Sequence, residues 1–156
     1  MVEVEQMSEV DSKKLLKRVR YGHPGSARET SPYVVPTHYG YDEPLVYICT
    51  NRGKKNGTVE NDLGVCLQFE EVMDESHWQS VIITGVAFQL TGNEEIKSAM
   101  DLILAANPKL TPALKIHWRA DQWVRSDVQV VYRITPTKIT GRRTVDRLKH
   151  KEYVFL

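Results

Sequence analysis

The sequence predicts a mainly β fold, an antiparallel barrel carrying a few helices, and three observations lead there. Runs rich in β-branched and aromatic residues follow one another along the chain at 33–41, 45–50, 64–70, 81–90 and 127–134. One strong helical pattern interrupts them, at 91–107, so the alternation of strands and helices that builds a parallel sheet is missing. Residues 45–50 are apolar at every other position on both faces, which suits a strand in the wall of a closed barrel or one covered by another element. At 156 residues the chain is long enough for one domain with a real core and too short for two of usual size, so 1–156 is read as a single domain.

In order, residues 1–20 are polar, with Val10, Leu15, Leu16 and Val19 loosely at helical spacing among Lys13, Lys14, Lys17, Arg18 and Arg20. A short amphipathic helix after a frayed terminus is expected, its basic residues forming a solvated face. Tyr21-Gly-His-Pro-Gly-Ser26 is turn-rich, with a weak strand signal. Residues 33–41 and 45–50, separated by Asp42-Glu-Pro44, read as the two strands of a hairpin. Pro36 interrupts the first. It donates no ladder hydrogen bond, which places it at an edge or where something other than a strand lies along the backbone. An ordinary edge strand and a planar ligand both fit.

Val65, Leu67 and Phe69 alternate with Cys66 and Gln68 as in a half-buried strand, and the segment 73–78 breaks that pattern. Gly85 interrupts the strand at 81–90 and marks a bend or a close approach. Thr91 and Glu94 have capping-box spacing, with Asn93 as the alternative cap, and Ile96, Ala99, Met100, Ile103 and Leu104 share one helical stripe. That helix ends before Pro108, because the residue before proline avoids helical geometry. The segment 115–125 has no clear period.

Composition excludes several function classes. Lys and Arg number 21 against 20 Asp and Glu, a net charge of +1, so no global pull toward nucleic acid or an anionic membrane exists. The longest apolar runs are strand-sized and the first thirty residues are charged, so neither a spanning helix nor a secretory signal is expected and the location is read as cytoplasmic. Cys49 and Cys66 fall on what look like neighbouring strands, and the expectation is two buried, reduced thiols. The five histidines have no metal-site spacing, and the hydrolase elbow, the Walker loop and the dinucleotide glycine fingerprint are absent. What remains is the turn Thr50-Asn-Arg-Gly-Lys-Lys55, whose cations, amide and hydroxyl suit a phosphate held by charge-assisted hydrogen bonds. A solvated hairpin turn is the alternative.

Taken together, Pro32-Tyr-Val-Val-Pro-Thr-His-Tyr39, Tyr47-Ile-Cys-Thr-Asn51 with Gly53-Lys-Lys55, Val65-Cys-Leu67, Trp78-Gln-Ser-Val-Ile-Ile-Thr-Gly85, and Tyr132-Arg-Ile-Thr-Pro136 with Thr140-Gly-Arg-Arg143 resemble the pyridoxamine 5′-phosphate oxidase-like, FMN-binding split-barrel family. The branch they look most like holds small flavin-binding proteins related to nitroimidazole-resistance proteins. The resemblance covers about residues 18–143, and its strength lies in the order of the pieces. It implies an antiparallel split β-barrel and a homodimer with two FMN sites at its interface. By that resemblance Val35, Pro36, Thr37 and His38 run along the flavin ring. Thr50, Lys54 and Lys55 match the phosphate-binding stretch, Ser26 stands where the family has a threonine near the phosphate, and Trp78 and Ser80 match the segment that reaches FMN from the partner subunit. The sequence departs from the family at Pro24-Gly-Ser26, at Thr58-Val59 and at Asp62-Leu63. The Arg and Lys pattern that grips pyridoxal phosphate is not evident, so vitamin B6 oxidation is not implied.

Three functional readings stand at this point. The first is an FMN-dependent oxidoreductase that passes electrons from a reduced nicotinamide cofactor to a small-molecule substrate, a nitroaromatic or a quinone, with the chemistry carried by the flavin. The alternative is a non-catalytic flavin- or haem-binding protein, a sensor, store or carrier, on the same barrel. A third is a barrel that has lost its cofactor. No side chain stands out as an acid or base, and His38 is read as structural or substrate-orienting.

Overall fold

The computed structural model describes residues 1–26, 33–34, 36–51, 63–109 and 129–147. Its elements are β1 (Val2–Gln6), α1 (Glu9–Arg18), β2 (Tyr21–Ser26), β3 (Tyr33–Val34), β4 (Thr37–Asp42), β5 (Leu45–Asn51), β6 (Leu63–Asp74), β7 (His77–Gln89), α2 (Asn93–Ala106) and β8 (Gln129–Asp146). The strands run β8-β5-β4-β2-β6-β7 and β7 pairs back onto β8, which closes a six-stranded antiparallel barrel. β1 pairs along the last residues of β8, 142–146, and β3 adds to the end of β2. Closure removes the edges along which strands otherwise pair with other chains.

Period-two alternation sends Leu67 and Phe69 of β6, Val81 and Ile83 of β7, Val46 and Ile48 of β5, and Ile134 of β8 into the barrel. α1 plugs one end. Its Leu15 and Leu16 are buried in the barrel core, and the Tyr39 hydroxyl lies 2.6 Å from the Leu16 carbonyl and 3.0 Å from that of Val19. Burial raises the Tyr39 pKa, so the hydroxyl keeps its proton and donates. Fully burying side chains of this size stabilises by roughly 1.5–3 kcal/mol each. A second core lies outside the barrel, where Ala99, Met100 and Ile103 of α2 cover Val131, Tyr47 and Cys49.

Gly85 sits where the β7–β8 register shifts, and a Cβ there would fall 3.0 Å from the Thr135 carbonyl carbon and 3.1 Å from Pro136 Cα. The interruption is therefore a close approach of backbone, and Pro136 is tolerated in a long strand because it stands at this irregularity. The Asp42-to-Leu45 hairpin, the end of α2 before Pro108 and the covered position of β5 agree with expectation.

Five expectations need correction. The N-terminus is not frayed: β1 pairs with residues 142–146 of β8, and Arg143 ties it down through Glu5 at 2.8 Å and Asp11 of α1 at 3.3 Å. Tyr21-Gly-His-Pro-Gly-Ser26 is a strand despite its turn residues, held by β6 on one side and by β3 and β4 on the other. The segment 33–41 is not one strand: Tyr33–Val34 and Thr37–Asp42 are separate strands, and Pro36 belongs to neither. α2 starts from Gly92 with no side-chain cap, so neither Thr91 nor Asn93 caps it. The basic face of α1 is also paired, since Lys13 and Lys17 meet Glu43 at 3.0 and 3.3 Å and Arg18 meets Glu71 at 2.8 Å.

Candidate functional site

β4 and β5 are paired from Tyr39↔Ile48 to Asp42↔Leu45, and the ladder stops there although both strands continue. Beyond it the Thr37 hydroxyl reaches the Cys49 carbonyl at 3.4 Å and the His38 carbonyl at 3.3 Å, long contacts that replace a ladder rung with a side-chain bridge. The β4–β5 ladder thus ends before Thr37, beside the exposed Pro36, which has no N–H to offer a neighbour. Burial pushes the Cys49 thiol up to about 11, so it is held as a neutral thiol beside the opening.

On β4, Tyr39 points into the core, so His38 points outward. Its partner across the β2 ladder is Tyr21, and the two rings meet edge to face with centroids 6.4 Å apart. Two residues along the same face comes His23, its ring 6.0 Å from that of Tyr21. His23 Nδ1 is buried and finds no hydrogen-bond partner among the described residues. β6 continues this outer face with Cys66, Gln68 and Glu70, and β7 with Ser80, Ile82 and Thr84. Gln68 Nε2 donates to Ser80 Oγ at 3.1 Å and to Glu70 Oε2 at 3.2 Å, which fixes the amide between the two. The Trp78 backbone N–H donates to Thr144 Oγ1 at 3.0 Å.

The sequence-derived site residues are thus divided. Pro36, Thr37 and His38 lie together at the start of β4, and Thr50 continues β5 opposite Val130 of β8. Ser26 ends β2, paired with Tyr33 of β3. Val35, Lys54 and Lys55 lie outside the described residues, as do Trp118 and Trp123. Half-buried Trp78 and Ser80 are near the start of β7, three strands around the barrel from β4, or about 14 Å at ~4.8 Å per strand. Tyr21, His23, Gln68 and Glu70 fill the interval. Sequence reasoning missed Tyr21 and His23 because Gly22, Pro24 and Gly25 make their strand read as a turn, and Gln68 and Glu70 because nothing local says that β6 lies beside β2. The available signal was the i, i+2 spacing of Tyr21 and His23.

Cys49 and Cys66 are not on neighbouring strands, because β5 pairs with β4 and β8 while β6 pairs with β2 and β7. Cys66 is exposed on the outer face, contrary to the expectation of two buried thiols, whereas Cys49 is largely covered. No helix among the described residues is long and apolar enough to cross a membrane.

Residues 8–143 match a family profile described as pyridoxamine 5′-phosphate oxidase. Among solved structures, an FAD-binding protein from Mesorhizobium loti is 25% identical with a TM-score of 0.67, the alignment covering 94% of this chain and 100% of that one. The FAD-binding protein of Mycobacterium smegmatis is 22% identical with a TM-score of 0.64, over 89% of this chain and 97% of that one. A candidate 5-nitroimidazole antibiotic resistance protein from Bacteroides thetaiotaomicron is 18% identical with a TM-score of 0.64, over 94% and 92%. These last two likenesses are of fold. No curated protein matches the chain.

Proposed function

This chain belongs to the pyridoxamine 5′-phosphate oxidase family, and on that premise we propose that it is a homodimeric FMN-binding oxidoreductase that takes electrons from a reduced nicotinamide cofactor and passes them to a small acceptor. The observation that carries the reading is the opening between β4 and β5 at Thr37. Where a ladder ends with both strands still extended, backbone N–H and C=O groups are presented to whatever lies alongside, and the edge of a flavin ring carries complementary donors and acceptors. Pro36, Thr37 and His38 would line the ring edge, while Thr50, Lys54 and Lys55 would hold the phosphate, with Ser26 near it. When bound, the flavin supplies the redox chemistry; these residues bind and orient it.

The second subunit enters for a geometric reason. A flat ring lying at Thr37 and His38 does not also reach Trp78 and Ser80 of the same convex barrel, so a second copy brings these two to the ring. That outer face has the apolar content an interface needs, since Val34 is 65% exposed, Val72 60% and Ile82 45%.

The absorption spectrum of the purified protein tests the cofactor. Flavin bands with released FMN are expected, released FAD would correct the cofactor, and a spectrum with neither flavin nor haem bands sinks the reading. Lys55→Ala tests the phosphate contact: a hydrogen bond to a charged group is worth roughly 1.5–3 kcal/mol, so FMN should bind about ten- to a hundredfold more weakly and riboflavin unchanged. Lys149→Ala serves as the control and should have no effect. Equal losses for FMN and riboflavin would mean damage to the ring pocket instead.

A further inference from the structure

We infer that Tyr21, His23 and His38 form a recognition strip for a neutral, planar, carbonyl-bearing ring, the acceptor that meets the flavin; the inference rests on the flavin reading above. Tyr21 and His23 were assigned no role by the sequence, yet their rings and that of His38 form one continuous edge-to-face row on the outer face, with centroid spacings of 6.0 and 6.4 Å. The row starts next to Thr37, at the start of β4, and runs toward Gln68 and Ser80. Tyr21 and His38 are exposed, so the row is open to a ligand. His23 Nδ1 is buried without a partner among the described residues, an arrangement that costs free energy unless something completes it.

The chemistry of the strip selects the ligand. Imidazole N–H and phenol O–H groups donate to carbonyl oxygens, and edge-to-face aromatic rows accept a further flat ring without a fixed charge. On its far side Gln68 pairs with Ile82, 45% exposed, which adds an apolar shoulder. Besides the Cys66 thiol, the ionisable side chain on this face of β6 is Glu70, held 3.2 Å from Gln68 Nε2, and its carboxylate repels an anion. A carboxylate- or phosphate-bearing acceptor is therefore disfavoured, and a quinone-like ring fits.

Calorimetric titration of the purified protein, with its flavin and without reductant, tests this with menadione as the neutral probe and 2-naphthoate as the anionic one. Menadione should bind the wild type at least tenfold more tightly than naphthoate does. Tyr21→Phe keeps the ring and removes one donor, and Tyr21→Phe with His23→Gln should weaken menadione tenfold or more while the flavin absorbance per chain stays constant. Because His23 is half-buried, the single Tyr21→Phe variant, expected to lose about threefold, keeps the test valid if the double variant fails to fold. Unchanged menadione affinity in a flavin-loaded Tyr21→Phe variant, or naphthoate binding as tightly as menadione, overturns this inference alone. A wild-type protein that takes up no flavin overturns the preceding reading and this one with it.

Discussion

The barrel has two outer faces, and their difference locates the function. One, built from β4, β5 and β8, is covered by α2: Gly40 is so closely approached that a Cβ would fall 3.1 Å from the Ile103 backbone nitrogen, and Met100 and Ile103 seal the contact at 0% and 1% exposure. The other, built from β2, β6 and β7, carries Tyr21, His23, Cys66, Gln68, Glu70, Ser80 and Ile82 and, among the described residues, no helix lies over it. The covered face is apolar and thinned to let a helix approach. The bare face mixes aromatic, imidazole, amide and hydroxyl groups with exposed aliphatic ones, a composition that suits neither a core nor a plain solvated surface. Covering one face completes the fold, while leaving the other bare keeps a surface for a ligand and a second subunit.

The largest expected effect breaks the covered face. Ile103→Ala should lower the unfolding free energy by about 2–5 kcal/mol in denaturant titration, whereas Ile82→Ala on the bare face should change monomer stability by less than ~0.5 kcal/mol. Similar losses at both positions would mean that the faces are equally packed and the comparison is wrong.

The next sharpens the meaning of bareness. Ile82→Lys places a charge in the proposed interface, so the dimer should dissociate at least tenfold more readily in sedimentation while the circular dichroism spectrum stays unchanged. A dimer insensitive to this substitution has its interface elsewhere.

The cysteines report the same contrast. With the thiol of Cys49 pushed up to about 11 and covered by α2, it should react with a thiol reagent at least tenfold more slowly than exposed Cys66 in dilute monomeric protein. Raising the protein concentration should slow Cys66 and leave Cys49 alone. If Cys66 reacts equally fast at every concentration, the bare face is not the interface.

The smallest effect is electrostatic. Hydrogen bonds from Lys13 and Lys17 hold the Glu43 carboxyl below the usual range, and Arg18 does the same for Glu71. Depressed folded-state values mean that the unfolded chain binds more protons, so these contributions are present above the ordinary carboxylate pKa of about 4.3 and are lost as pH falls through the depressed values. The melting temperature should fall slightly between about pH 5 and pH 3, and Glu43→Gln should flatten a little of that slope. These groups are exposed or half-exposed, so added salt should reduce the effect further.

What the sequence determined by itself is what neighbouring residues decide. α1 was legible because Leu15 and Leu16 fall on one stripe and basic residues fill its last turn, and the end of α2 because Pro108 restricts the residue before it. The β4–β5 hairpin, the alternation of β6 and the close approach at Gly85 likewise follow from short-range pattern. Tertiary structure alone decided the rest. The pattern of β1 says little, and it is a strand because β8, far along the chain, offers an edge and Arg143 a tether. β2 contains a proline and two glycines, yet ladders on both sides hold it extended, overriding local turn preference. α2 lacks a capping side chain at Gly92 and basic residues in its last turn; Arg20, from before β2, donates to the Ala106 carbonyl at its C-terminus. Cys66 is exposed and Tyr21, His23 and His38 are gathered for the same reason: which side of a strand meets solvent, and which strands lie side by side, depends on long-range pairing that no local pattern encodes.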